Sequence, residues 1–346
     1  MKTIDWKNVV KIALEEAKNY YETNGIALTL RGLFYILVSK NIIPNTKSSY
    51  NRLSKRLAYY RYIGVFPWHL IQEKVRDLSY GDTGYSIPDA ERIIRELEAL
   101  TPEEKDKLLQ EYLESKYSIR LSQWENQKYR VIISVEKEAI YDIVKNIVRH
   151  QLGWDVTIAF TRGFESATQA KKISDYILYL KAKNITPALL LVYDFDPSGE
   201  YIAMRDFLFR VLLLARNKDI KSLIKKWDRA EDREKEEILK FLLEEVGVEW
   251  KKIMLTWDQI VKYKIPPTPE HKEVIEKLQR DPRKKWFLEK YGNLYQAEVD
   301  ALLALYPEEA KKILDEAIKS YFDYSIYQEV KSKEEELRKK VKEKMM

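Results

Sequence analysis

The chain contains no cysteine and only three histidines, His69, His150 and His271. Disulfides and thiolate-based zinc or iron sites are therefore excluded, and any metal has to be held mainly by oxygen ligands, which favours magnesium, calcium or manganese. Long hydrophobic runs are also missing. Stretches such as "ALLLVY" at Ala188–Tyr193 fall far short of the ~20 residues needed to cross a bilayer. Asp5 interrupts the N-terminus before a signal-type apolar run can form. These features predict a soluble, cytoplasmic protein with no membrane contact. No P-loop or other nucleotide-binding motif is present.

A fourth absence is local. No Asp or Glu occurs from Thr23 to Gln72, while seven basic residues do: Arg31, Lys40, Lys47, Arg52, Lys55, Arg56 and Arg61. The formal net charge of the whole chain is only +6, so this segment carries all of the excess positive charge. Polyanion binding is thus a property of one segment, and nucleic acid is the polyanion expected.

At 346 residues the chain is too long for one small core. Asp5, Thr29 and Thr46 each precede an apolar-periodic run and can cap a helix. The three runs are Trp6 to about Asn24, Leu30 to about Lys40, and Lys47 to Gly64. They are followed by the strand-like "VFPWHLI". This outline predicts a winged-helix domain over 1–75, in which the third helix enters the major groove. Lys47, Arg52, Lys55, Arg56 and Arg61 lie on that helix and are the expected DNA contacts. A linker and helical connector is expected over 76–127, with helices at Asp89–Leu100 and Pro102 to about Tyr117.

From Lys128 the pattern alternates strands with helices, as in "YRVIISV", "WDVTIAF", "PALLLVYDFD" and "KKIMLT". Alternation of this kind predicts a parallel sheet with helices on its faces over 128–265, followed by a helical region over 266–346. The final stretch from Ser325 has only a thin apolar seam (Ile326, Val330, Leu337, Val341) and reads as a solvated charged tail. The fold class expected is therefore α/β plus mainly-α.

Acidic residues sit where the strands end. Glu136 follows "VIISV", and Asp194 and Asp196 close "LLLVY" in the run "DFDPSG". Ligands gather at the carboxyl ends of strands in open α/β sheets, and side chains two apart on a strand point the same way. An acidic strand end often does no more than start a loop and cap the next helix. Three carboxylates on one edge, however, repel each other unless a cation neutralises them, which points to a hard-metal site suited to phosphodiester chemistry.

The runs "VEKEAIYDIV", "TRGFESA" and "VYDFDPSGEYIAM" resemble the Toprim domain of type IIB DNA topoisomerases, and "TLRGLFY" at Thr29–Tyr35 is similar to the nucleophile motif of that family's winged-helix domain. The two motifs occur in the family's order, and the resemblance covers roughly 25–260. It is to the A subunit of topoisomerase VI, the meiotic double-strand-break protein and the stand-alone Mini-A homologues of archaeal mobile elements. Gly32, Ser198 and "TRGF" depart from the family's usual residues.

The resemblance implies that Tyr35 attacks a backbone phosphate, aided by Arg31 one turn away, and becomes joined to the 5′ end. It implies that Glu136, Asp194 and Asp196 bind Mg2+, and that a homodimer cuts both strands of double-stranded DNA in the nucleoid. Partnership with an ATPase B-type subunit is left open, because Tyr35 comes far nearer the start of this chain than in topoisomerase VI. Two other readings remain: a non-catalytic DNA-binding protein of a mobile element, and a metal-dependent Toprim nuclease. Taken without the resemblance, a helical tyrosine beside Leu33, Phe34 and Leu37 is more often a packing residue.

Overall fold

The computed structural model describes residues 4–24, 27–72, 79–105, 119–161, 167–201, 203, 206–268 and 281–345. The chain divides into two compact units that are discontinuous in sequence. The first comprises Met1–Arg76, Phe164–Asp175 and Arg205–Val246, and the second Asp77–Gly163, Tyr176–Met204 and Gly247–Met346. Residues 205–246, which the strand–helix alternation groups with the parallel sheet, fall in the first unit.

In the first unit, helices α1 (Trp6–Asn24), α2 (Leu30–Ser39) and α3 (Lys47–Tyr62) begin where their caps predict. Asp5 accepts from the Lys7 and Asn8 amides, Thr29 from Gly32 and Thr46 from Ser49. Each cap satisfies a backbone donor that the helix itself cannot. Trp6, Val9, Ala13, Leu33, Leu37, Leu53 and Leu57 build the core of this bundle. Strand β1 (Leu28–Thr29) pairs in parallel with β2 (Ile71–Gln72).

The expected strand over "VFPWHLI" is shorter than predicted. Pro67 has no amide to donate to a ladder, and it leads instead into a 3-10 turn at Trp68–Leu70. Among the described residues no wing hairpin follows. Helices Phe207–Arg216, Ile220–Arg229 and Asp232–Val246 complete the unit. Phe209 and Trp227 stack there with centroids 4.0 Å apart.

The second unit holds a four-stranded, all-parallel sheet of order β4-β3-β5-β6, formed by β3 (Tyr129–Val135), β4 (Thr157–Phe160), β5 (Thr186–Val192) and β6 (Glu249–Met254). The fold is thus mixed α/β, as the alternating pattern predicts. β3 and β5 are buried along almost their whole length, which is why they read as continuous apolar runs rather than as alternation. The chain leaves β3 for β4 on one side and β5 for β6 on the other. The adjacent carboxyl ends of β3 and β5 are therefore the switch point of the sheet.

The C-terminal stretch is not a solvated tail. Tyr324–Met345 is one helix, and Val330, Leu337 and Val341 are buried with Ala90 and Ile94 of the helix Ile87–Glu98. Glu334 is buried between them, accepting from the Leu121 amide and pairing with Lys331 and Arg338. The helix expected at Pro102–Tyr117 falls largely on 106–118, and part of the C-terminal region on 269–280, both outside the described residues. No helix among the described residues is long and apolar enough to cross a membrane.

Candidate functional site

Parallel pairing sets Val135 of β3 opposite Val192 of β5, so the chain delivers Glu136 and the Asp194–Asp196 run to one edge. The Glu136 amide bonds to the Val192 carbonyl at 3.2 Å. Phe195, fully buried, forms an antiparallel bridge with Ala297. Asp194 and Asp196 flank this bridged residue in sequence, and the charges of both are felt at Glu136.

Each carboxylate has a distinct environment. Asp194 is 6% exposed, and both of its oxygens are engaged: Oδ1 accepts from the Val299 amide at 2.9 Å and Oδ2 from the Lys137 ammonium at 2.8 Å. Asp196 Oδ1 accepts from the Gly199 amide at 2.6 Å. Glu136 Oε2 is buried with no hydrogen-bond partner among the described residues.

The electrostatics follow from this arrangement. Burial first, and then the negative charges of Asp194 and Asp196, push the Glu136 carboxyl up to about 7. Burial also raises Asp194, against the pull of Lys137 and of the Val299 amide. Burial works against the Lys137 charge, but Asp194 and Glu298 outweigh it and hold the ammonium above its ordinary range. The geometry of Gly199 is equally constrained. A Cβ there would lie 2.6 Å from the Asp194 carbonyl oxygen and 3.2 Å from Glu136 Oε2, so only glycine lets these groups come this close.

Among the described residues no group of three His, Asp or Glu side chains is arranged to hold a metal ion. The donor chemistry nevertheless suits a hard cation: three carboxylates face one edge, and one of them carries a buried orphan oxygen.

Several neighbours were not foreseen from the sequence. Lys252 donates to the Asp194 carbonyl at 3.1 Å and pairs with Glu200, which is 1% exposed and also accepts from the Tyr291 hydroxyl. Lys137 further contacts Glu298 at 3.2 Å and Asp300 at 3.3 Å. Only Lys137 carried a signal, by standing next to Glu136 in "VEKE".

Tyr35 and Arg31 lie in the first unit, one turn apart on α2. Tyr35 is 53% exposed and is no core residue, although its ring leans on Phe34 at 5.7 Å. Arg31 is exposed. Of the expected DNA contacts, Lys47, Lys55 and Arg56 are exposed with no carboxylate partner among the described residues. Arg52 is exposed and lies 5.3 Å over the Trp6 ring.

Arg61 does not fit the DNA-contact set. It is 4% exposed, stacks on Trp68 at 4.4 Å and donates to Thr168 Oγ1 at 2.9 Å. Leu53, Leu57 and Arg61 share one helical face, and that face is turned into the core. The hydroxyl of half-buried Tyr62 beside it is shielded from solvent, which pushes its phenol up to about 12 despite the nearby Arg210. The "TRGF" run lies largely on 162–166, outside the described residues.

No protein family model matches this sequence, and no curated protein matches it. Among solved structures, the chain is similar to the C-terminal region of the OLD protein of Xanthomonas campestris pv. campestris. The TM-score is 0.21 and the identity 18%, covering 62% of this chain and 94% of that one. A likeness this distant carries neither fold nor function across.

Proposed function

We propose that this chain is a magnesium-dependent DNA double-strand-breaking and rejoining enzyme of the type IIB topoisomerase A-subunit kind, with Tyr35 as its nucleophile. The observation that carries the reading is the position of Glu136 and the Asp194–Asp196 run at the switch point of a parallel sheet, with Glu136 Oε2 buried and without a hydrogen-bond partner among the described residues. The sheet is read as a Toprim domain, and α1 to α3 with the β1–β2 pair as a winged helix.

A magnesium ion held by the three carboxylates would supply positive charge at the scissile phosphate. The remaining chemistry belongs to the chain. Tyr35 Oη loses its proton and bonds to phosphorus; the bond from phosphorus to the 3′ oxygen breaks, and that oxygen leaves as a 3′ hydroxyl. One phosphodiester replaces another, so the step is close to neutral in energy and reverses without ATP. Arg31, four residues before Tyr35 on the same helical face, would stabilise the phenolate or the phosphate. Lys47, Arg52, Lys55 and Arg56 hold the duplex by its phosphates without reading sequence. Two protomers would cut the two strands.

The test is to incubate the protein with internally labelled supercoiled DNA and magnesium, then denature with detergent. Label retained on wild-type protein and lost in Tyr35→Phe supports the reading. Cleavage that survives Tyr35→Phe would identify a hydrolytic nuclease, and binding without cleavage a DNA-binding protein. A wild-type reaction with no label is repeated with candidate ATPase B-type partners before it counts against the reading.

A further inference from the structure

The helix Ile220–Arg229 of the first unit has two unlike faces. Ile220, Leu223, Ile224 and Trp227 share one; Trp227 is buried, its ring stacked on Phe209 at 4.0 Å, and the other three are half-buried. Lys221, Lys225 and Arg229, at four-residue spacing, line the other with Lys226 beside them, and all are exposed. Exposed Lys218 adds a further cation just before the helix. We infer that this face is a second element, besides α3, that grips the phosphate backbone of DNA. The inference rests on the reading that the protein acts on duplex DNA.

Three features support it. First, these cations have no internal partner. Asp219 and Glu245 pair with Arg216, and Glu237 with Arg233, while Lys218, Lys221, Lys225, Lys226 and Arg229 form no ion pair with any described residue. Second, the face is held in place. The corner leading into the helix uses two non-glycine residues of positive φ, Asn217 at 54° and Asp219 at 50°, a conformation that persists where the surroundings enforce it. Arg216 braces that corner, donating to the Lys218 carbonyl at 2.6 Å and pairing with Asp219 and Glu245. Third, the spacing suits a polyanion. Lys221, Lys225 and Arg229 follow one another at about 6 Å along the helix axis, and one DNA strand presents a phosphate about every 3.4 Å of its axis. Each cation can therefore meet its own phosphate, without reading bases. DNA is favoured over an anionic membrane, because a helix lying on lipid needs a free apolar face, and here that face is packed on the protein's own Phe209.

The experiment measures binding of a labelled duplex of mixed sequence to the full chain in EDTA, by fluorescence anisotropy over a range of salt. Lys221→Ala, Lys225→Ala and Arg229→Ala combined should weaken binding by about tenfold or more and lower the slope of log K against log salt by about two to three units. The same number of charges removed from α1, as Lys7→Ala, Lys11→Ala and Lys18→Ala combined, should lower it by less than about one unit. An equal fall in the α1 variant reveals a net-charge effect and overturns the inference.

An unchanged slope in the Lys221, Lys225 and Arg229 variant overturns it too; loss of binding to phosphatidylserine vesicles in that variant would then reassign the face to a membrane. Should the combined variant not fold by circular dichroism, Lys225→Ala alone decides: a slope lower by about one unit is expected, and an unchanged slope overturns the inference. Its failure is distinct from failure of the proposed function. The first leaves wild-type DNA binding and the Tyr35 adduct intact, whereas wild-type protein that binds no DNA overturns both.

Discussion

Replacing Glu136 with glutamine should stabilise the metal-free protein at mildly alkaline pH and change little in acid. Burial and the two aspartates raise this carboxyl from 4.5 to about 7 on folding. Its contribution to stability is therefore fully present below pH 4.5 and is lost as pH climbs through 7. At about pH 8 the folded chain carries a buried, ionised Glu136 whose charge costs up to about 3 kcal/mol relative to the unfolded chain. Glutamine keeps the shape and removes the charge, and its amide can donate to the neighbouring carboxylates. In EDTA, scanning calorimetry should show Tm for Glu136→Gln above wild type by on the order of 5 °C at about pH 8, shrinking towards zero at about pH 4. Adding magnesium at about pH 8 should raise the Tm of wild type and not that of the variant. A variant less stable than wild type at about pH 8 would refute the reasoning, because it would mean that the Glu136 charge is already compensated.

Gly199→Ala should abolish Mn2+ binding, because its Cβ would sit 2.6 Å from the Asp194 carbonyl oxygen and force the two acidic segments apart; binding titration checks this. Arg61→Ala should destabilise the protein by about 2 kcal/mol in thermal or urea unfolding. Arg56→Ala should leave folding stability within about 0.5 kcal/mol of wild type but lower the salt dependence of DNA binding by about one unit of slope. Glu334→Ala should cost about 1 to 3 kcal/mol, since it orphans the Leu121 amide and frees Arg338 from its buried partner.

Much of this arrangement can be read from the chain where the causes are local. Asp5, Thr29 and Thr46 cap the helices they precede, and β3 and β5 appear as unbroken apolar runs because both of their faces are covered. Glu136, Asp194 and Asp196 could be placed together because strand ends in a parallel sheet fall at one edge. The inward turn of Arg61 was also legible in principle, since it continues the Leu53–Leu57 face, but its charge drew it towards the DNA contacts. Non-local partners were not legible. Glu200, Lys252 and Tyr291 come from three distant segments, and nothing near any one of them announces the other two. The seam of Tyr324–Met345 looks too thin to bury alone. It is buried because the helix Ile87–Glu98, more than two hundred residues earlier, supplies the opposite face.

The central claim is that Tyr35 forms a covalent bond to DNA, and peptide mapping of trapped complexes tests it most directly. Wild-type protein would be incubated with duplex DNA and magnesium, denatured, digested with nuclease and then protease, and analysed by mass spectrometry. The account predicts a nucleotide-sized mass addition, linked through a 5′ phosphate, on the peptide containing Tyr35 and absent without magnesium. Broken DNA with an unmodified Tyr35 peptide, or the adduct on a different tyrosine, would contradict it.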